Sequence, residues 1–91
     1  MPHSRSAKKR MRQGRERHVR NMSVKSRTRT LRRRFHAAVE EGDVDQARER
    51  LREAQKAYDQ ASAKKVIHRN NAARKVARMT RQLDQLKAGK V

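Results

Sequence analysis

Three stretches of this chain space their apolar side chains by threes and fours, the repeat of a single helix face, and this constrains the fold more than any other feature. Val24, Thr28, Leu31, Phe35 and Ala38 are spaced 4, 3, 4, 3. Val44, Ala47, Leu51, Ala54, Tyr58 and Ala61 are spaced 3, 4, 3, 4, 3, and Ala72, Ala73, Val76, Met79, Thr80, Leu83 and Leu86 gather on a third stripe. A helix buries such a stripe only against another element. The pattern therefore predicts an all-α fold, a three-helix bundle. The single proline is at position 2 and the glycines are only Gly14, Gly42 and Gly89, so little interrupts long helices.

Helices are expected at about 6–41, 43–63 and 68–88, within a single domain covering 1–91. Gly42 follows the first stripe and can take the left-handed conformation that ends a helix, while Asp43 can cap the next one, with Gln46 completing a capping-box-like pair. The second break has a weaker signal, because Ala63-Lys64-Lys65-Val66 holds neither Gly nor Pro. It is placed there because Ile67 falls off the third stripe, so that the third helix starts near His68 or Arg69. The first stripe fades before Val19. The N-terminal half of the first helix, long and basic, is thus predicted to extend beyond the bundle.

Only 33% of the 91 residues are hydrophobic, and Phe35 and Tyr58 are the only aromatics. Ordering each residue costs about 1.5 kcal/mol, so the core is expected to be thin. A net charge of +18 adds self-repulsion that a polyanion would relieve. Part of the ordering, above all in residues 6–20, is expected to happen on that partner. The absence of Cys removes disulfides, thiolate nucleophiles and Cys-type zinc sites. No apolar run follows the Met1-Pro2-His3-Ser4 opening and nowhere do eighteen apolar residues run together, so neither a secretory signal nor a membrane partner is expected. The expected location is cytoplasmic.

The charge is laid out in three blocks. Residues 1–36 hold 14 basic residues and one acid, Glu16; residues 37–63 hold 4 basic and 7 acidic; residues 64–91 hold 9 basic and one acid, Asp84. Two cationic surfaces flanking a nearly neutral segment suit a polyanion better than a uniform basic tail does. An enzyme is excluded by inventory. Most of the acids fall between Glu40 and Asp59, where Asp45–Arg48, Glu49–Arg52 and Glu53–Lys56 read as solvated i,i+3 pairs. The four histidines are scattered without metal-ligand spacing, so no metal is expected. Gly14, alone among arginines, reads as a close backbone approach or a soft point in the helix, not as a phosphate loop. No cofactor and no small-molecule substrate is expected.

With Leu31 pointing to the core, Met22, Ser26, Arg29 and Arg33 fall opposite it, flanked by Lys25. On the third helix Arg74, Arg78 and Arg81 lie opposite Val76, with Asn70 and Asn71 beside them. Arginine forks grip phosphate, and short polar groups fix register, so both outer faces read as nucleic-acid surfaces. There is no zinc finger, leucine zipper or helix-turn-helix spacing, and two aromatics make no stacking platform. Shape recognition of folded RNA remains, since its junctions bring phosphates from several directions onto a basic rod.

Three stretches then carry a resemblance. They are Ser6-Ala7-Lys8-Lys9-Arg10; Arg20-Asn21 through Ser23-Val24-Lys25-Ser26, with Arg29-Thr30; and Ile67-His68-Arg69-Asn70-Asn71-Ala72-Ala73-Arg74-Lys75, continuing to Arg78-Met79. In order, and with Glu40-Glu41-Gly42-Asp43 between them, they resemble the bacterial small-subunit ribosomal protein S-twenty family over nearly the whole chain. The chain departs from the family at Pro2-His3-Ser4 and at Lys65, where the family often has Gly. The resemblance implies a monomeric structural protein bound to small-subunit ribosomal RNA, with other small-subunit proteins as possible neighbours. Its expected RNA contacts are Ser6, Lys8, Lys9, Arg10, Arg12, Arg15, Arg17, Arg20, Asn21, Ser23, Lys25, Ser26, Arg29, Thr30, Arg33, His68, Arg69, Asn70, Asn71, Arg74, Lys75 and Arg78. A nucleoid-type DNA-compacting protein is the alternative, and a cationic regulator of an acidic protein is a third reading.

Overall fold

The computed structural model describes residues 5–89, in which three helices occur and no strand. Helix α1 spans Arg5–Glu41, α2 spans Val44–Ala63 and α3 spans Arg69–Lys87. Pro2, His3 and Ser4, where the chain departs from the family pattern, lie outside the described residues.

Each predicted stripe supplies core. α1 buries Thr28, Leu31, Phe35 and Ala38; α2 buries Ala47, Leu51, Ala54, Ala57, Tyr58 and Ala61; α3 buries Ala72, Met79 and Leu83. Val24, Val44, Val76 and Leu86 are half-buried at the margins. Half of the twelve buried hydrophobic residues among those described are alanines. Helices can therefore approach closely, but Leu31, Phe35, Leu51, Tyr58, Met79 and Leu83 supply nearly all the large apolar burial. Thr28 sits among them because its hydroxyl donates to the Lys25 carbonyl at 2.8 Å, leaving no unsatisfied donor.

Two members of the third stripe, Ala73 and Thr80, are exposed. Each is one residue, or about 100°, beyond a buried neighbour, outside the narrow strip that α3 buries. Ala57 shows the opposite effect. α2 packs between α1 and α3, while those two meet only sparsely, so α2 buries a wider arc than one stripe. Ile67, off the stripe, packs on the core from the loop before α3.

The helix ends are fixed by hydrogen bonds. Gly42 at φ 74° ends α1 and donates to Val39 O at 3.0 Å, while Asp43 N–H donates to Ala38 O at 3.1 Å. The Asp43 side chain then caps α2, Oδ1 accepting from Gln46 N–H at 3.0 Å. Only this half of the expected capping box forms, because the Asp43 N–H already serves α1. After α2 the same geometry recurs without glycine: Lys65 takes φ 60°, Lys65 N–H donates to Ser62 O and Val66 N–H to Ala61 O, both at 3.0 Å. Lys65 thus holds the left-handed position that favours Gly. α3 starts at Arg69 behind His68, whose Nδ1 accepts from Asn70 N–H at 3.1 Å.

At 37 residues α1 is about 55 Å long, and the molecule measures 64 × 22 × 15 Å. Its radius of gyration of 17.8 Å exceeds the roughly 12 Å of a compact chain of this length. The excess is the basic overhang, in which every residue from Lys8 to Arg20 is exposed.

Candidate nucleic-acid interface

The sparse meeting of α1 and α3 leaves a groove between them. It holds two clefts, of 320 and 290 Å³, and both are lined by Arg32 of α1 and Lys75 of α3. Lys25, Arg29, Arg32 and His36 reach the groove from α1, spaced 4, 3, 4; Asn71, Lys75, Arg78 and Gln82 reach it from α3 at the same spacing. Each set is a stripe running beside its own core stripe, as Arg32 beside Leu31 and Lys75 beside Val76 make plain. Arg33 borders the first cleft, and Thr28, Tyr58 and Ile67 border the second. No acid lines either one.

The groove concentrates like charge. The Lys75 ammonium is held below its ordinary pKa first by the Arg32 guanidinium across the groove, then by burial, then by Arg78 and Arg74. Anions drawn into the groove would relieve that repulsion. Asn71, at the rim, accepts from Arg74 Nη2 at 3.3 Å, which orients a short amide beside the cations.

Of the residues expected to contact RNA, the groove gathers Lys25, Arg29, Arg33, Asn71, Lys75 and Arg78. Ser23, Ser26 and Thr30 lie instead in a cleft toward α2, opposite Glu53 and Lys56. Ser6, Lys8, Lys9, Arg10, Arg12, Arg15, Arg17 and Arg20 are exposed along the overhang, and Asn21 is half-buried at its base. His68, Arg69, Asn70 and Arg74 are exposed on the first turns of α3, with His68 engaged as the cap. Arg32, His36 and Gln82 escaped the sequence reading, which sought the side opposite the core; the flanking 4, 3, 4 stripes were the available signal. The acids of α2 do not supply the i,i+3 pairs expected of them. Among the described residues the salt bridge that forms is Arg50 to Glu53 at 3.2 Å. A Cβ built on Gly14 meets nothing within 4 Å, so no neighbouring group of the fold requires glycine there.

Among the described residues no group of three or more His, Cys, Asp or Glu side chains could hold a metal ion, and no helix is long and apolar enough to cross a membrane. The groove is a cation-lined surface without an acid on its lining.

Residues 2–84 match the family model of ribosomal protein S20. Curated relatives carrying the name small ribosomal subunit protein bS20 match as well. The one from Rubrobacter xylanophilus is 51% identical over 75 residues, 82% of this chain and 89% of its own. That from Natranaerobius thermophilus is 44% identical over 86 residues, 94% of this chain and 98% of its own, and that from Corynebacterium urealyticum is 52% identical over 68 residues, covering 75% and 78%. With an all-α bundle, a basic first helix and an acid-free groove already in view, the chain belongs to the ribosomal protein S20 family, structural constituents of the bacterial ribosome and not enzymes.

Proposed function

We propose that this protein, acting as one structural unit, binds small-subunit ribosomal RNA directly and ties separate RNA segments together. The α1–α3 groove grips the phosphates of one segment, and the overhang of α1 lies along another. The observation that carries this reading is the acid-free groove, where two helices hold cations against one another. Phosphates entering it replace like-charge repulsion by charge-assisted hydrogen bonds. The nearly neutral segment 37–63 supplies a face left to water or to neighbouring small-subunit proteins. Family membership gives no support to the DNA-compacting alternative.

The salt dependence of binding to small-subunit ribosomal RNA tests the reading. Each neutralised phosphate contributes about −0.7 to −0.9 to the slope of log K against log salt, and roughly ten contacts give a slope near −7 to −9. A slope shallower than about −3 would refute it.

A further inference from the structure

Where the overhang of α1 leaves the bundle it forms an open elbow with the last turn of α2. The cleft in this elbow has a volume of about 910 Å³, larger than either cleft of the α1–α3 groove and on a different side of α1. Val19 and Val24 give it apolar walls, and Arg15, Arg20, Arg27 and Lys64 stand around them, outnumbering Glu16, the one acid on the lining. Gln60 of α2 adds a side-chain amide. Val19 is 65% exposed, an apolar side chain that nothing in the fold covers.

These groups together specify the chemistry of what fits. An apolar wall takes a flat, weakly hydrated face; an amide offers one acceptor and two donors to a polar edge; cations at the rim take phosphates on either side. A regular duplex presents phosphates but keeps its base faces stacked, so it would leave the valines unused. An extruded base has a free face, a hydrogen-bonding edge and two flanking phosphates. Resting on the RNA-binding reading above, we propose that the elbow seats one unpaired, extruded nucleotide of the ribosomal RNA. The base lies against Val19 and Val24, Gln60 meets its edge, and Arg15, Arg27 and Lys64 hold the flanking phosphates.

The test uses the full-length protein with full-length bacterial small-subunit ribosomal RNA, mapped by 2′-hydroxyl acylation, with affinity measured at one salt concentration. The parent protein should change the reactivity of one nucleotide, or two adjacent ones, within an unpaired segment. Val19→Asp should abolish that local change and weaken binding about fivefold, the low end of what one base on an aromatic stacking platform contributes. Val19→Leu should preserve both. Met11→Asp adds the same charge to the overhang away from the elbow, and it should leave the local change intact. Gln60→Ala should reduce the change without altering the rest of the footprint. If the parent binds with a steep salt slope but Val19→Asp and Gln60→Ala leave every unpaired nucleotide as the parent does, the elbow proposal is overturned while the RNA-binding reading stands. If the parent does not bind, both fall together.

Discussion

Arg32 and Lys75 face one groove from different helices with no acid between them. The repulsion lowers the Lys75 pKa, Arg32 being the largest cause. Below the folded-state value, the charged lysine is a standing cost to the free protein. Between that value and the unfolded value the unfolded chain binds more protons, so this contribution to stability rises with pH. Lys75→Met should therefore stabilise the free protein by about 0.5 kcal/mol at neutral pH and flatten the alkaline rise. It should also reduce the salt slope of RNA binding by about one. Thermal melts across pH and a salt titration check both; a variant that melts earlier than the parent at neutral pH would contradict the account.

Packing and recognition separate on each outer helix. Leu31 is 7% exposed and Leu83 4% exposed, so Leu31→Ala and Leu83→Ala should each cost about 2–5 kcal/mol of stability and weaken RNA binding only through unfolding. Arg29→Ala and Arg74→Ala change exposed side chains. They should leave the melting temperature unchanged or slightly raised and weaken RNA binding directly. Melting temperature and affinity of the four variants, taken at one salt concentration, decide the matter.

Lys65 occupies a left-handed turn position at φ 60°. Lys65→Gly should raise stability by about 1 kcal/mol, since the strain of a side chain there exceeds the entropy that glycine adds to the unfolded chain. Chemical denaturation of both proteins measures it, and a loss of stability would show that the Lys65 side chain contributes more than its backbone costs.

No side chain from Lys8 to Arg20 is buried, and α1 is held there by its own backbone bonds. Amides of this segment in the free protein should exchange close to the unprotected rate, while those around Leu31 and Phe35 exchange only on global unfolding. Gly14→Ala should slow exchange in the overhang by favouring helix by about 1 kcal/mol. Binding of RNA should protect the same amides in the parent. Strong protection of residues 8–20 without RNA would rule this out.

The core was legible because burial leaves a periodic trace. Leu31, Leu51 and Leu83 mark it plainly, and Gly42-Asp43 marks the first turn. Ala57 was not legible, since the wider buried arc of α2 follows from its place between two partners, which no single stripe encodes. The second turn lacked a breaker because Lys65 performs a glycine's role by tolerating strain. The groove was missed in part for a geometric reason. Reading the face opposite Leu31 finds Arg29 and Arg33, but a groove between two helices lies to one side of each core stripe, where Arg32, His36 and Gln82 stand.

Asp43 closes one helix with its backbone and opens the next with its side chain. The joint between α1 and α2 therefore has no slack, and the two helices are geared: the rotational phase of α2 is set by that of α1. Inserting one residue into the first turn of α2, behind the Asp43 cap, would turn the rest of α2 by about 100° and carry Leu51 and Tyr58 away from Phe35. The hairpin can accommodate changes in side chains along its length far more readily than a change in the count of residues at its corner.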